Sequence, residues 1–185
     1  MTPVDRWLQR WRISKARHYI PLGARVLDVG CSEGELFRQL SDRIGDGVGV
    51  DPLLRVPVDG TGYRLLPGTF PEALAEDGGL FDVITLLAVL EHIPSDQQTQ
   101  LVDELLGHLE PGGAVVITVP APFVDRILSV LRGLRLIHGM SLEEHYGFEP
   151  AHVPALFEGR GFALEASSTF QLGLNHLFVF RRSEP

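Results

Sequence analysis

The sequence predicts an α/β fold: a doubly wound, mainly parallel sheet of seven strands that ends in an antiparallel hairpin. Three observations carry this expectation. Short apolar, β-branched runs alternate with segments of helical spacing between residues 25 and 119, the order that builds parallel strand-helix-strand units. One of these runs, VITLLAVL, lacks polar alternation and reads as a strand covered on both faces. The last two runs are separated only by QLG, and so short a connection makes the strands it joins antiparallel neighbours.

Taken in order, residues 4 to 19 carry Val4, Trp7, Leu8, Trp11, Ile13 and Tyr19 among Arg6, Arg10, Arg12, Lys15 and Arg17, a helical pattern with a basic face. The pattern predicts an N-terminal helix within residues 1–22, either covering one edge of the core or serving as a flap over a ligand, and Pro21 and Gly23 end it. RVLDV (25–29) opens the sheet, and Leu36, Phe37 and Leu40 give residues 33–41 a helical face. GVGVD (47–51) is the second strand and YRLL (63–66) the third. Pro71 to Ala75 suits a short helix, because proline is tolerated at a first helical position.

The apolar run that begins near Leu80 supplies the fourth strand, through Leu87. Ser95 to Leu109 is amphipathic, with Ser95 or Asp96 as N-cap. A Pro-Gly-Gly turn at 111–113 leads into AVVITV (114–119), the fifth strand. Residues 121–149 hold an apolar and basic helical stretch, VDRILSVLRGLRLI, followed by the polar turn region SLEEHYGFEP. Pro150 to Gly161 suits another helix, and FALEASSTF (162–170) with LNHLFVF (174–180) completes the sheet. The whole is one Rossmann-like domain over residues 1–185, without internal repeats or an interdomain linker.

Composition bounds the function. A chain of 185 residues holds one well-buried core, and 44% hydrophobic with 22% charged residues is the balance of a folded protein rather than a disordered one. No segment approaches the twenty or so apolar residues of a membrane span, and Asp5, Arg6, Arg10 and Arg12 interrupt the start of the chain where a secretory signal would be apolar. The expected compartment is therefore the cytoplasm. Cys31 is the single cysteine, which excludes an intrachain disulfide and a cysteine-rich zinc site. A net charge of −8 argues against nucleic acid as partner, since affinity for a phosphate backbone comes from Lys and Arg displacing counterions.

The chemistry gathers at VLDVGCSEGEL (26–36), where the first strand passes into its helix. Ligands of open parallel sheets collect at the C-terminal ends of strands, and Gly30 and Gly34 stand there, able to adopt positive φ and to let a ligand meet the backbone. Asp51 ends the second strand, twenty-one residues after Gly30, the separation at which a carboxylate meets the ribose hydroxyls of a nucleoside. A dinucleotide site has a G-x-G-x-x-G loop that seats pyrophosphate on helix amides. Here Ser32 fills the middle glycine position, and Asp28 and Glu33 bring negative charge. Acids around the loop suit a cationic ligand carrying an ammonium and a sulfonium, which shifts the expectation from NAD to S-adenosylmethionine.

From VLDVGCSEG through VGVD, FDVITLLAVLEHIP, LEPGGAVVITVP and the closing hairpin, about 160 residues in all, the chain resembles the class I S-adenosylmethionine-dependent methyltransferases, within the small-molecule branch that includes the quinone-biosynthesis enzymes. The resemblance implies a loop formed by Asp28, Gly30, Cys31 and Gly34 that holds the methionine part of the cofactor. It further implies that Asp51 with Pro52 binds the ribose, that Gly68, Thr69 and Phe70 contact the adenine, and that Leu87 and Ala88 pass under the methionine. S-adenosylhomocysteine would be the second product. Many members carry glycine where Ser32 stands, and an acid or amide where Thr69 stands; this chain departs from both patterns. Some metal-dependent relatives carry a glutamate three residues before the Glu91-His92 pair, where this chain has Ala88, so no metal is expected.

Methyl transfer is an in-line displacement, in which alignment and exclusion of water matter more than a nucleophile from the protein. A base near the acceptor would aid loss of its proton. His92, in VLEHIP, is either a helix-entry histidine bonded to backbone or such a base. His145 and Tyr146, in EEHYGFEP, are either solvated loop residues or part of an acceptor pocket. Residues 121–149 could complete the core or form a lid for an apolar, small-molecule or lipid-linked acceptor, with Arg126, Arg132 and Arg135 meeting an anionic group. The protein would be a monomer or homodimer. A NAD(P)-dependent oxidoreductase is the alternative enzyme, for which a middle glycine and a sixth parallel strand would speak, and a non-catalytic module that has kept the methyltransferase fold is the alternative binding protein.

Overall fold

The computed structural model describes residues 3–74, 79–121 and 148–183. Its strands are β1 (Ala24–Val29), β2 (Ile44–Asp51), β3 (Val58–Gly60), β4 (Tyr63–Pro67), β5 (Phe81–Leu87), β6 (Leu109–Pro120), β7 (Phe162–Phe170) and β8 (Asn175–Arg182). Among the described residues the helices are α1 (Pro3–Ala16), α2 (Glu35–Gln39), α3 (Ser95–Gly107) and α4 (Val153–Phe157), with 3-10 turns at Arg17–Tyr19, Glu72–Leu74, Leu90–His92 and Pro150–His152. The strands form one sheet in the order β3-β4-β2-β1-β5-β6-β8-β7. β4, β2, β1, β5 and β6 run parallel, whereas β8 is antiparallel to both β6 and β7. The chain winds outward from β1 through β2 to β4, then returns to the other side of β1 to begin β5. Strand order therefore reverses between β1 and β5, and the crevice at their C-terminal ends is the natural ligand site of such a sheet.

Seven strands agree with the sequence reading, and the parallel sheet with its closing hairpin is present. The eighth, β3, was not legible as a strand. It is three residues long, pairs antiparallel with β4, and is joined to it through Thr61 and Gly62, with Gly62 at φ 75°. No apolar alternation marks VDG; its order comes from main-chain pairing at the sheet edge.

Three local expectations are corrected. Helix α3 is capped by Pro94, in an extended conformation (ψ 138°), without a side-chain cap, so Ser95 and Asp96 are the first two helical residues rather than the cap. The Pro-Gly-Gly segment lies inside β6 rather than before it: Phe81 pairs with Leu109 and Val83 with Ala114, so 111–113 form an irregularity within the strand. Burial of Leu109 against the core anchors the strand ahead of this bulge. Helix α1 covers a face of the sheet rather than an edge, because Ile13 and Ala16 are fully buried in the core. The expected segment at 121–149 and Ala75 of the expected short helix lie almost wholly outside the described residues.

Alternation along the central strands sorts the core into two layers. On one face Leu27, Val29, Ile84, Leu86, Val115 and Ile117 meet Leu101, Val102 and Leu105 of α3 and Phe157 of α4. On the other, Val26, Val83 and Val116 meet α1 together with Leu36, Phe37 and Leu40 of α2 and its following turn. Phe157 stacks on Phe180 at 3.9 Å between ring centroids and meets Phe162 edge-on at 5.1 Å. Replacing Phe157 by alanine removes both aromatic contacts from a fully buried site and should destabilise the protein by about 3–5 kcal/mol, read as a lowered urea midpoint with unchanged m-value.

Candidate functional site

The turn after β1 is folded onto the end of β2. The amides of Gly30 and Cys31 donate to the Val50 carbonyl, at 2.8 and 3.2 Å, and the Ser32 amide donates to Asp51 Oδ2 at 2.8 Å. The Gly34 amide donates to the Cys31 carbonyl at 2.9 Å. Gly30 and Gly34 take φ of 76° and 77°, and a Cβ on Gly30 would stand 2.4 Å from Val89 Cγ2. Glycine at position 30 thus lets the loop close against the end of β5. Ser32 fills the position of a middle glycine and still adopts φ 50°, a conformation costing an L-residue roughly 1–2 kcal/mol, held by its bond to Asp51.

Two carboxylates back the loop. Asp51 is buried, and its Oδ1 also accepts from the Leu53 amide at 2.8 Å. Asp28 alternates with Leu27 and Val29 and so faces the layer of α1 and α2; it is only 5% exposed. The Thr85 hydroxyl donates to Asp28 Oδ1 at 2.6 Å. Burial pushes the Asp28 carboxyl up to about 7, the Thr85 bond opposes this, and the charge of Asp51 adds to it. Burial, with Asp28 and Asp51 nearby, likewise drives the Cys31 thiol well above its ordinary range, so Cys31 is an inert packed thiol rather than a nucleophile.

In front of the loop a cavity of about 490 Å3 opens at the C-terminal ends of β1, β2 and β4, bounded by α3. Gly30, Pro52, Gly68, Thr69, Phe70 and His92 line it, so residues separated by up to 62 positions in the chain, and singled out in the sequence, share one wall. Cys31 and Gly34 are buried and stand outside this lining, as do Asp28 and Asp51 behind the loop. Leu87 ends β5 and Ala88 follows it; both are half-buried and outside the cavity lining, with Ala88 at φ 62° and its amide on the Thr118 carbonyl at 2.8 Å. His145 and Tyr146 lie outside the described residues.

Sequence reasoning missed the far wall, made of Glu72 and of Gln97, Gln100, Leu101 and Glu104 on α3. The spacing 97, 100, 101, 104 is one helical stripe, a signal available in the sequence but one that an amphipathic reading assigns to the solvent face. Gln98, on the inner side, donates its side-chain amide to the Ile93 carbonyl at 2.8 Å, directly after the 3-10 turn that carries His92. Phe70 meets His108 edge-on at 5.1 Å.

A reversed-order parallel sheet, a closing hairpin, and an acid-backed glycine loop together define the class I S-adenosylmethionine-dependent methyltransferases. The chain belongs to the methyltransferase-domain family, whose model matches residues 4–167. It is 29% identical over 163 residues to the ubiquinone biosynthesis O-methyltransferase of Xanthomonas axonopodis pv. citri, and 26% identical over 158 residues to that of Acinetobacter baumannii. These alignments cover 78% and 77% of this chain and 65% of each relative, so the chain spans about two thirds of the length of the curated relatives it matches. The structure of the N-methyltransferase NodS from Bradyrhizobium japonicum, in complex with S-adenosylhomocysteine, superposes with a TM-score of 0.68 at 15% identity, covering 99% of this chain and 89% of that one, a likeness of fold.

The upward displacement of Asp28 fixes a sign for the pH dependence of the ligand-free protein. The native state keeps a proton that the unfolded chain gives up in the ordinary carboxylate range, so stability falls as pH rises from about 4 through about 7. Asp28→Asn retains an acceptor for Thr85 and removes the ionisation. Urea midpoints of parent and variant should diverge above pH 7 in favour of the variant, by a stability difference on the order of 4 kcal/mol, and converge near pH 4.

Proposed function

We propose that this protein transfers a methyl group from S-adenosylmethionine to a small-molecule or lipid-linked acceptor. The observation that carries the cofactor half of this reading is the state of the loop amides. A G-x-G-x-x-G loop also brings its own amides to the pyrophosphate, yet those of Gly30, Cys31, Ser32 and Gly34 already donate within the protein. What the loop offers instead is negative: Asp28, whose only polar partner among the described residues is a hydroxyl, and Asp51 beside it. An ammonium and a sulfonium fit that environment, which is why S-adenosylmethionine is favoured over NAD(P).

When bound, the cofactor supplies a methyl group on a positively charged sulfur. The protein's part is to hold and align. Asp51, tied to both Ser32 and Leu53, retains lone pairs for the two ribose hydroxyls, while Pro52 borders them. Gly68, Thr69 and Phe70 offer the adenine a wall, the Asp28 to Gly34 turn the methionine end, and Leu87 with Ala88 the floor. Because His92 lines the same cavity as residues 68–72, its imidazole is assigned to the nucleoside rather than to the acceptor's proton. His145 and Tyr146 remain the acceptor-side residues of the proposal.

The names of the relatives favour a hydroxyl oxygen as acceptor, with its proton released to solvent or a base. Among the described residues no helix is long and apolar enough to cross a membrane. A cytoplasmic location is proposed on the single cysteine, Cys31, which leaves the chain without an intrachain disulfide.

Calorimetric titration with S-adenosylmethionine and, separately, NADH tests the cofactor: the first should bind and the second should not. Asp51→Ala should weaken S-adenosylmethionine at least tenfold; equal affinity for variant and parent would overturn the placement of the ribose. His92→Ala should weaken cofactor binding severalfold, whereas an unchanged dissociation constant with lost turnover would return His92 to the role of base.

A further inference from the structure

The cavity proposed for the nucleoside lies on one face of the sheet. Val29 and Val50, which line it, belong to the core layer that α3 and α4 cover, and Val89, also in its lining, packs against that layer. The layer continues along β6 and β8 through Val119 and Phe178. His176, the second residue of β8, stands on the same face at the rim. It pairs with Val119 on β6 and Thr169 on β7, and its ring lies parallel to that of Phe178, at 6° between planes and 6.2 Å between centroids. Ala88, just past β5, donates its amide to the Thr118 carbonyl, so the end of β5, Val119 and His176 share one level of the sheet. Two strand spacings, about 10 Å, separate His176 from β5. Among the other described histidines, His18 and His152 are exposed, His108 lies at the opposite end of the sheet beside the start of β5, and His92 lines the cavity. His176 is half-buried, and neither ring nitrogen has a hydrogen-bond partner among the described residues. Burial alone lowers its imidazole from the ordinary value, and Val119, Thr169 and Phe178 around it bear no charge, so near neutral pH the ring keeps a lone pair able to take a proton.

We infer that His176 is the base that takes the proton of the methyl acceptor, an aryl hydroxyl. The inference rests on the proposed S-adenosylmethionine site. With the adenine at the end of β4, the ribose at β2 and the methionine between β1 and β5, the ligand runs along the strand ends toward β6. The in-line partner of the methyl group then lies beyond β5, over β6 and β8. The wall between β5 and the imidazole is apolar, formed by Val89, Val119 and Phe178, and suits an aromatic ring that bears the hydroxyl. As the oxygen loses its proton to the imidazole, its electron pair forms the new C–O bond while the methyl's bond to sulfur breaks and leaves its pair on sulfur. The products are an aryl methyl ether, S-adenosylhomocysteine and an imidazolium that returns its proton to solvent.

Phenol and 4-nitrophenol serve as acceptor probes, assayed at about pH 8 for label transferred from the methyl group of S-adenosylmethionine. Phenol keeps its proton there, whereas the nitro group leaves the second probe largely ionised and in no need of a base. His176→Gln should lower kcat on phenol about a hundredfold with KM near the parent value, and on 4-nitrophenol by less than about threefold. His176→Ala should behave alike, and added imidazole should restore part of its rate on phenol. Calorimetry with S-adenosylhomocysteine should give both variants the parent's affinity, and His152→Ala should match the parent in every assay. Equal losses on the two probes would show a packing role for His176 and overturn the inference. A parent that binds S-adenosylhomocysteine and methylates neither probe would overturn it too, with the cofactor assignment left standing. Failure of the parent to bind S-adenosylhomocysteine at all overturns the cofactor assignment and the inference together.

Discussion

Everything at the site depends on the way the turn after β1 is fastened to the end of β2. Three successive amides, of Gly30, Cys31 and Ser32, are satisfied by the carbonyl of Val50 and the carboxylate of Asp51. Buried amides have to be paired, and pairing them inside the protein decides what the loop can no longer do. None of these three amides is left to meet a phosphate. The same bonds make Asp51 a residue that shapes the loop, so changes to it act on the geometry of the loop as well as on any contact it makes.

A second consequence is electrostatic. Beneath the loop Asp28 has, among the described residues, one hydroxyl partner and a neighbouring acid, an arrangement that disfavours its charge in the ligand-free protein. Folding and ligand binding pull in opposite directions here. The ligand-free protein is better off with Asp28 protonated, whereas a bound ammonium or sulfonium stabilises the ionised form. On the proposed cofactor reading, a substantial loss of stability near neutral pH is the physical counterpart of a site that accepts a positive charge, as expected where a local rule is broken at a functional site.

The central strands were legible because β-branched runs between glycine and proline punctuation leave few alternatives, and because the QLG connection forces an antiparallel hairpin. β3 was not, since three residues without apolar alternation carry no pattern of their own. The Pro-Gly-Gly segment read as a turn on composition, yet Leu109 is anchored in the core ahead of it, and the strand absorbs the extra residues as a bulge. Burial outweighed local turn chemistry.

By itself the sequence determined the sheet, the acid-backed glycine loop and the class of cofactor, because each follows from residue types at short spacing: Gly30 and Gly34 in one turn, Asp51 at the end of the next strand. Only the tertiary structure decided what shares the cavity. Glu72 and the Gln97, Gln100 and Glu104 stripe come from two segments some twenty-five residues apart and meet because the sheet order brings the end of β4 and the start of α3 to the same rim. His92 joins that lining from the turn after β5, next to which Gln98 of α3 bonds the Ile93 carbonyl. Such pairings depend on which strand lies beside which, and sheet order is set by packing of the whole core, not by any local run of residues.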